Sequence, residues 1–355
     1  MSTAIQKVIL LTGATGFIGF QTLLDALQAG FQVRCVVRSE AKGQALLSKP
    51  ALQSYLLADN VPAPRVAIVV VPDQAAPQAF HQAIVGIKYV IHVASPLPPT
   101  QPGHLDAEAD FLVPARRGTL EILEAAAIAP SVERVVITSS VVAFVSPKIF
   151  MGLERADPTH PFTPTSRVPL MSPPFPHAGI AYIASKVASL EATETWMRNH
   201  KPQFSVVNIH PSWVMGRAEC LGKDQDGLFN TTNRLVLNTI VKGQASPFPK
   251  MMRAVVDVHD VARLQVESLQ KADIVGSGEC RSFIASIPGA YEEIPSIIQK
   301  RFPEEIRNGR ITILGEQASF PLPIDSSDTE VTFGWKFRGL ERIVTDLISQ
   351  YIDLQ

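Results

Sequence analysis

Through its first half the chain alternates short apolar runs with stretches of helical periodicity, and this rhythm constrains the fold more than any other feature. The runs read KVILLTG, QVRCVVR, VAIVVVP, KYVIHVA and ERVVITSSVVAF, with helical patterns over 16–29 and 111–127 between them. Near-continuous apolar strands separated by helices predict βαβ units and a parallel sheet buried on both faces. A right-handed crossover then lays the 111–127 helix against that sheet. The expected fold is a doubly wound α/β sheet.

The rhythm breaks over 151–178, which holds Pro158, Pro161, Pro164, Pro169, Pro173, Pro174 and Pro176. Proline is excluded from helix interiors and central strands, so this stretch is expected to be irregular. A helical run, AYIASKVASLEATETWM, and a strand, FSVVNIHPS, follow at once, so the excursion is read as an inserted loop over the sheet edge. Beyond Pro211 helices are expected over 227–242, at DVHDVARLQVESLQKA and over 340–351, with a strand at RSFIAS. A chain of 355 residues suits a nucleotide domain carrying a smaller lobe. Residues 3–149, 179–211 and 250–274 are assigned to the dinucleotide-binding lobe. Residues 150–178, 212–249 and 275–355 form the smaller, mostly C-terminal substrate lobe.

Formal net charge is -1 and no basic block occurs, which argues against nucleic acid and points to a small-molecule partner. Cys35, Cys220 and Cys280 lie far apart with no CxxC spacing, so neither a disulfide framework nor a zinc site is expected. No signal-peptide pattern opens the sequence, and no run approaches the ~20 apolar residues of a membrane span. The default expectation is a soluble cytoplasmic protein, monomer or homodimer, with no metal.

The first strand runs into TGATGFIG, which opens the first helix, and that context raises a glycine motif above chance. Gly13 suits a tight turn, Gly16 lets backbone approach a pyrophosphate at a helix N-terminus, and Gly19 allows close helix packing. Thr12, Gly13, Thr15, Gly16, Phe17 and Ile18 are therefore candidate cofactor contacts. At the end of the second strand an acidic residue would bind a ribose 2′-hydroxyl, whereas arginine accommodates a 2′-phosphate. Arg38 stands there, with Lys42 nearby as a second positive charge, which favours NADP over NAD.

In AYIASK, Tyr182 and Lys186 are four apart and share a helix face. A neighbouring ammonium is expected to lower the phenol's pKa and let Tyr182 protonate an oxygen. ITSSVV ends a predicted strand, so Ser139 or Ser140 stands where α/β folds place ligands and is suited to holding a substrate oxygen.

With these motifs in order, the chain resembles the extended short-chain dehydrogenase/reductases. Within them it is similar to the NADPH-dependent aldehyde and ketone reductases of yeast and fungi, close to methylglyoxal, dihydroflavonol and cinnamoyl-CoA reductases. The resemblance rests on TGATGFIG, VVRSEAKG, VVVPD, VIHVASP, GTLEILEAA, RVVITSS, YIASK, HPSWVMG, VDVHDVAR and FGWKFRGLE, spread over nearly the whole length. It implies Tyr182 as acid, Lys186 as its partner on the nicotinamide ribose, and Ser140 as the catalytic serine. It also implies Asp73 near the adenine, Ala94 and Ser95 along the cofactor, and Pro211 beside the nicotinamide. Family pattern leaves His92 and His210 as packed core histidines. His210 stands where many relatives carry asparagine, and the 151–178 excursion lacks an acidic-tryptophan element common among them.

The reading is an NADPH-dependent reductase of an aldehyde or ketone, with Tyr182 as proton donor, in detoxification or secondary metabolism. A sugar-nucleotide epimerase or dehydratase holding NAD would be expected to show an acidic residue at position 38. An NADP-binding redox sensor without catalysis would have no need of Tyr182 and Lys186. Phe144, Phe175, Trp213 and Met215 flank the motifs, either as an apolar pocket or as plain core.

Overall fold

In the computed structural model, which describes residues 7–56, 65–95, 108–175, 178–222 and 224–355, the apolar runs form one sheet of seven strands. These are β1 Val8–Thr12, β2 Gln32–Val37, β3 Val66–Val70, β4 Tyr89–His92, β5 Arg134–Thr138, β6 Ser205–Pro211 and β7 Cys280–Ala285. Their order is β3-β2-β1-β4-β5-β6-β7, and every neighbouring pair is parallel. Sheet growth reverses between β1 and β4, where Thr12 pairs with His92. Ligands of such sheets sit beyond the strand ends at this switch point.

Alternation along each strand feeds two cores. Ile9 and Leu11 of β1, Val136 of β5 and Val207 and Ile209 of β6 face the helices α1 Phe17–Gln28 and α4 Val258–Gln270. Leu10, Val135, Ile137 and Val206 face the opposite layer. That layer holds α2 Val113–Ile128 and α3 Ala178–His200, through Ile122, Leu123, Trp196 and Met197. Each such side chain, buried fully, stabilises by roughly 1.5–3 kcal/mol. The last helix, α5 Leu340–Asp353, packs Ile343, Val344 and Leu347 on the first core.

The strand and helix positions expected from the sequence are thus largely present, with three differences. Residues 280–285, assigned above to the second lobe, are the seventh strand of the main sheet, and their burial explains the apolar FIA run. The single helix expected over 227–242 is broken. A 3₁₀ segment, Asp226–Asn230, precedes helical turns over Arg234–Val236 and Leu237–Val241. Thr231 donates to Leu228 O, Thr232 to Val214 O, and Asn233 bonds the backbone of Gly216 at both N and O. Those side chains compete with the helical ladder. The helix 111–127 begins as a wider turn over Glu108–Leu112.

The proline-rich excursion carries no regular element from 152 to 175. It is stitched down at Phe162, whose N–H donates to Pro323 O and whose carbonyl accepts from Asp325 N. Arg167 of the excursion binds Glu194 of α3. Pro176 of the excursion and residues 3–6 of the first lobe lie outside the described residues. Short parallel pairs, Trp213–Met215 with Val255–Asp257 and Met251–Met252 with Ser319–Phe320, build the smaller region beside the sheet end. Among the described residues no helix is long and apolar enough to cross a membrane.

Candidate active site

β1 leads directly into the glycine turn. Gly13 has φ +77°, and a Cβ there would lie 2.8 Å from Ala94 N, so both the backbone angle and the chain just after β4 demand glycine. A Cβ on Gly19 would stand 2.1 Å from Gly13 O, so α1 packs onto the turn itself. Gly16, the residue preceding α1, differs: among the described residues a Cβ there would meet only Gly13 O, at 3.5 Å. Gly16 and Thr15 are exposed and Phe17 and Ile18 half-buried. No side chain caps α1 and its first turn holds no acidic residue. The positive helix end therefore faces an open surface that a Cβ would fill, which fits a pyrophosphate.

Thr12 is fully buried, and its hydroxyl bonds His92 Nδ1 at 2.9 Å and accepts from Ala94 N at 3.1 Å. Its side chain braces the ends of β1 and β4 and faces away from the open surface. Arg38, Asp73, Ala94 and Ser95 line one cleft of about 230 Å³, together with Gln74 and Thr119, which sequence reasoning missed. Arg38 and Lys42 are exposed, and among the described residues neither makes an ion pair. Ser39 caps the short helix Glu40–Leu47, accepting from Lys42 N at 3.3 Å. Asp73 turns its carboxylate to Ala75 N at 2.9 Å.

The serine, tyrosine and lysine meet at the carboxyl end of the sheet. Ser140 begins the 3₁₀ turn Val141–Ala143 after β5; its hydroxyl accepts from Val142 N at 3.4 Å and stands close enough to the Tyr182 phenol to pull its pKa down in part. That contact distinguishes it from Ser139, whose N–H continues the ladder to Ile209 O. Lys186 is buried on α3 and donates from Nζ to Ser95 Oγ at 3.0 Å, with Nζ 5.6 Å from the Tyr182 ring centroid. Burial pushes Lys186 down to about 8.

The pKa expected for Tyr182 is corrected: burial pushes the phenol up to about 12, and the Ser140 bond offsets only part of this. The lysine charge is directed at Ser95, so it does not bring the free phenol down. A group at 12 stays protonated at neutral pH, which suits an acid. Pro211 ends β6, buried beside the site.

His92 and His210 are core histidines. Burial and the nearby Lys186 charge hold His92 down at about 4, and burial first of all holds His210 at about 3. Phe144 and Met215 are core, and Trp213 packs edge-on against Phe248. Phe175 is different: with Phe162, Val168 and Met171 of the excursion it joins the apolar cluster that includes Tyr182. All three cysteines are free thiols, and among the described residues no cluster of His, Cys, Asp or Glu can hold a metal ion.

A family model described as the NAD dependent epimerase/dehydratase family matches residues 9–280. The ketoreductase CTB6 of Cercospora nicotianae is 36% identical over 358 residues, covering 98% of this chain and 96% of its own. The ketoreductase azaE of Aspergillus niger is 30% identical over 362 residues, covering 99% of each. The crystal structure of Gre2 from Candida albicans in complex with NADPH superposes with a TM-score of 0.77. It is 23% identical and covers 98% of this chain and 99% of its own. That likeness concerns the fold.

Proposed function

The chain belongs to the NAD dependent epimerase/dehydratase family, and from that footing we propose that it is an NADPH-dependent reductase of an aldehyde or ketone carbonyl. The observation that carries this is the meeting of Ser140, Tyr182 and Lys186 beside the glycine turn. Ketoreductase relatives over the full length, and a fold neighbour holding NADPH, support the same reading.

Gly13, Gly16 and the start of α1 receive the pyrophosphate, and Arg38 with Lys42 meets the 2′-phosphate. Asp73, Ala94 and Ser95 flank the nucleotide, and Pro211 borders the nicotinamide. Bound there, reduced nicotinamide supplies the hydride. Tyr182 gives its phenolic proton to the carbonyl oxygen as that oxygen gains charge, and Ser140 holds the oxygen against the phenol. Lys186, held by Ser95, reaches the nicotinamide ribose and fixes the cofactor against the phenol. The excursion around Phe162 and Phe175 excludes water from the phenol. Arg38, in place of an acidic residue, weighs against an NAD-holding epimerase.

Loss of NADPH absorbance against a panel of aldehydes, α-keto esters and flavanonols, with NADH in parallel, tests the reading. Turnover with NADPH is expected. Tight NADPH binding with no turnover on any member would overturn the reductase reading in favour of a sensor.

A further inference from the structure

The peptide that carries Ser140 is held in an unusual way. β5 pairs with β6 as far as Ser139, whose N–H donates to Ile209 O at 2.7 Å. The ladder cannot continue, because Pro211 has no N–H to offer. Ser140 turns away, and its carbonyl accepts from Ala143 N at 3.1 Å. The carbonyl's remaining capacity is taken by a side chain: His210 Nδ1 lies 3.2 Å from it.

The other ring nitrogen, Nε2, lies 3.0 Å from Ser282 Oγ on β7, and the ring packs 4.3 Å from the Phe144 centroid. His210 has no solvent exposure. A carbonyl oxygen only accepts, so the proton is assigned to Nδ1, and Nε2 accepts from the Ser282 hydroxyl. Burial keeps the ring neutral, which removes it from proton transfer and leaves it a purely geometric role.

We propose that His210 is a positioning residue for Ser140. As the Nδ1–H tautomer, braced by Ser282 and Phe144, it anchors the Ser140 peptide and sets where the serine hydroxyl meets Tyr182 and a substrate oxygen. The inference rests on the reductase reading above. The family's role for Ser140 says nothing of what aims it, and here the aim comes from a buried side chain on the neighbouring strand, β6.

A double-mutant cycle tests it. His210→Phe keeps a ring against Phe144 and loses both hydrogen bonds, whereas His210→Asn keeps a donor and an acceptor. The Phe variant is expected to lower kcat about tenfold with KM for NADPH unchanged, and the Asn variant to recover most of that loss. In a Ser140→Ala background the same His210→Phe change is expected to cost no further rate, because the group being aimed is gone. Equal losses in both backgrounds would overturn the proposal.

Should the Phe variant not fold, Ser282→Ala removes the brace alone and is expected to lower kcat about threefold; an unchanged kcat there counts against the proposal. Nitrogen-15 spectra of histidine-labelled enzyme are expected to show Nδ1 protonated and Nε2 bare, and the reverse tautomer would overturn it. An inactive wild type defeats the reductase reading and the serine's role with it. An active wild type with additive losses defeats the positioning alone.

Discussion

Replacing Gly16 by alanine separates binding from folding. Gly16 has φ −96° and ψ 175°, extended backbone that alanine adopts freely. Among the described residues the new methyl would touch only Gly13 O at 3.5 Å, an ordinary contact. Loss of glycine's freedom in the unfolded chain stabilises by roughly 0.4–1 kcal/mol. Alanine's poorer fit at a helix N-cap costs a comparable amount. The melting temperature should therefore stay within about 2 °C of wild type.

Binding should respond very differently. The methyl occupies the surface through which an anion reaches the amides at the start of α1, removing one or two charge-assisted hydrogen bonds of roughly 1.5–3 kcal/mol each. NADPH should bind about 10- to 100-fold more weakly or worse. Fluorescence titration with NADPH, paired with thermal melts of the free protein, reads both quantities. A variant that binds NADPH as tightly as wild type would refute the placement of the pyrophosphate.

Gly19→Ala should do the opposite first: its Cβ at 2.1 Å from Gly13 O is opposed by rigid backbone, so a stability loss of about 1–3 kcal/mol is expected in chemical denaturation. Arg38→Ala, at an exposed position that makes no ion pair among the described residues, should leave the melting temperature unchanged and raise KM for NADPH far more than for NADH. Equal changes in the two would contradict the 2′-phosphate assignment. His92 and His210 have folded pKa values depressed to about 4 and 3 from 6.5, so below pH 6.5 the unfolded chain binds more protons and stability falls as pH drops toward 3. Denaturation midpoints measured from pH 7 to 4 should decline steadily, with the decline reduced in His210→Asn.

The sheet was legible because burial on both faces writes itself as uninterrupted Val, Ile and Leu runs, and the glycine turn because each glycine answers a local steric demand. Tyr182 and Lys186 were legible as an i,i+4 pair. The choice between Ser139 and Ser140 was not readable from spacing, since only the turn after β5 sends one hydroxyl to the phenol. The tyrosine's pKa direction was misread because sequence shows the neighbouring charge and hides the burial, which is larger here. That 280–285 joins the main sheet is not legible locally, because its pairing with β6 spans some seventy residues of chain. The 227–242 break lay in Thr231, Thr232 and Asn233, whose partners Val214 and Gly216 come from another element. Where the Thr12 hydroxyl goes was equally hidden, since only the register of β1 with β4 brings it to His92.

The central claim is that Tyr182 gives the proton while separate residues bind the nucleotide, and Tyr182→Phe tests it most directly. The account predicts that single-turnover hydride transfer from NADPH to an accepted carbonyl substrate falls by about 10²-fold or more while the NADPH dissociation constant stays within about twofold. A phenylalanine variant that reduces substrate at the wild-type rate, with NADPH bound, would contradict it.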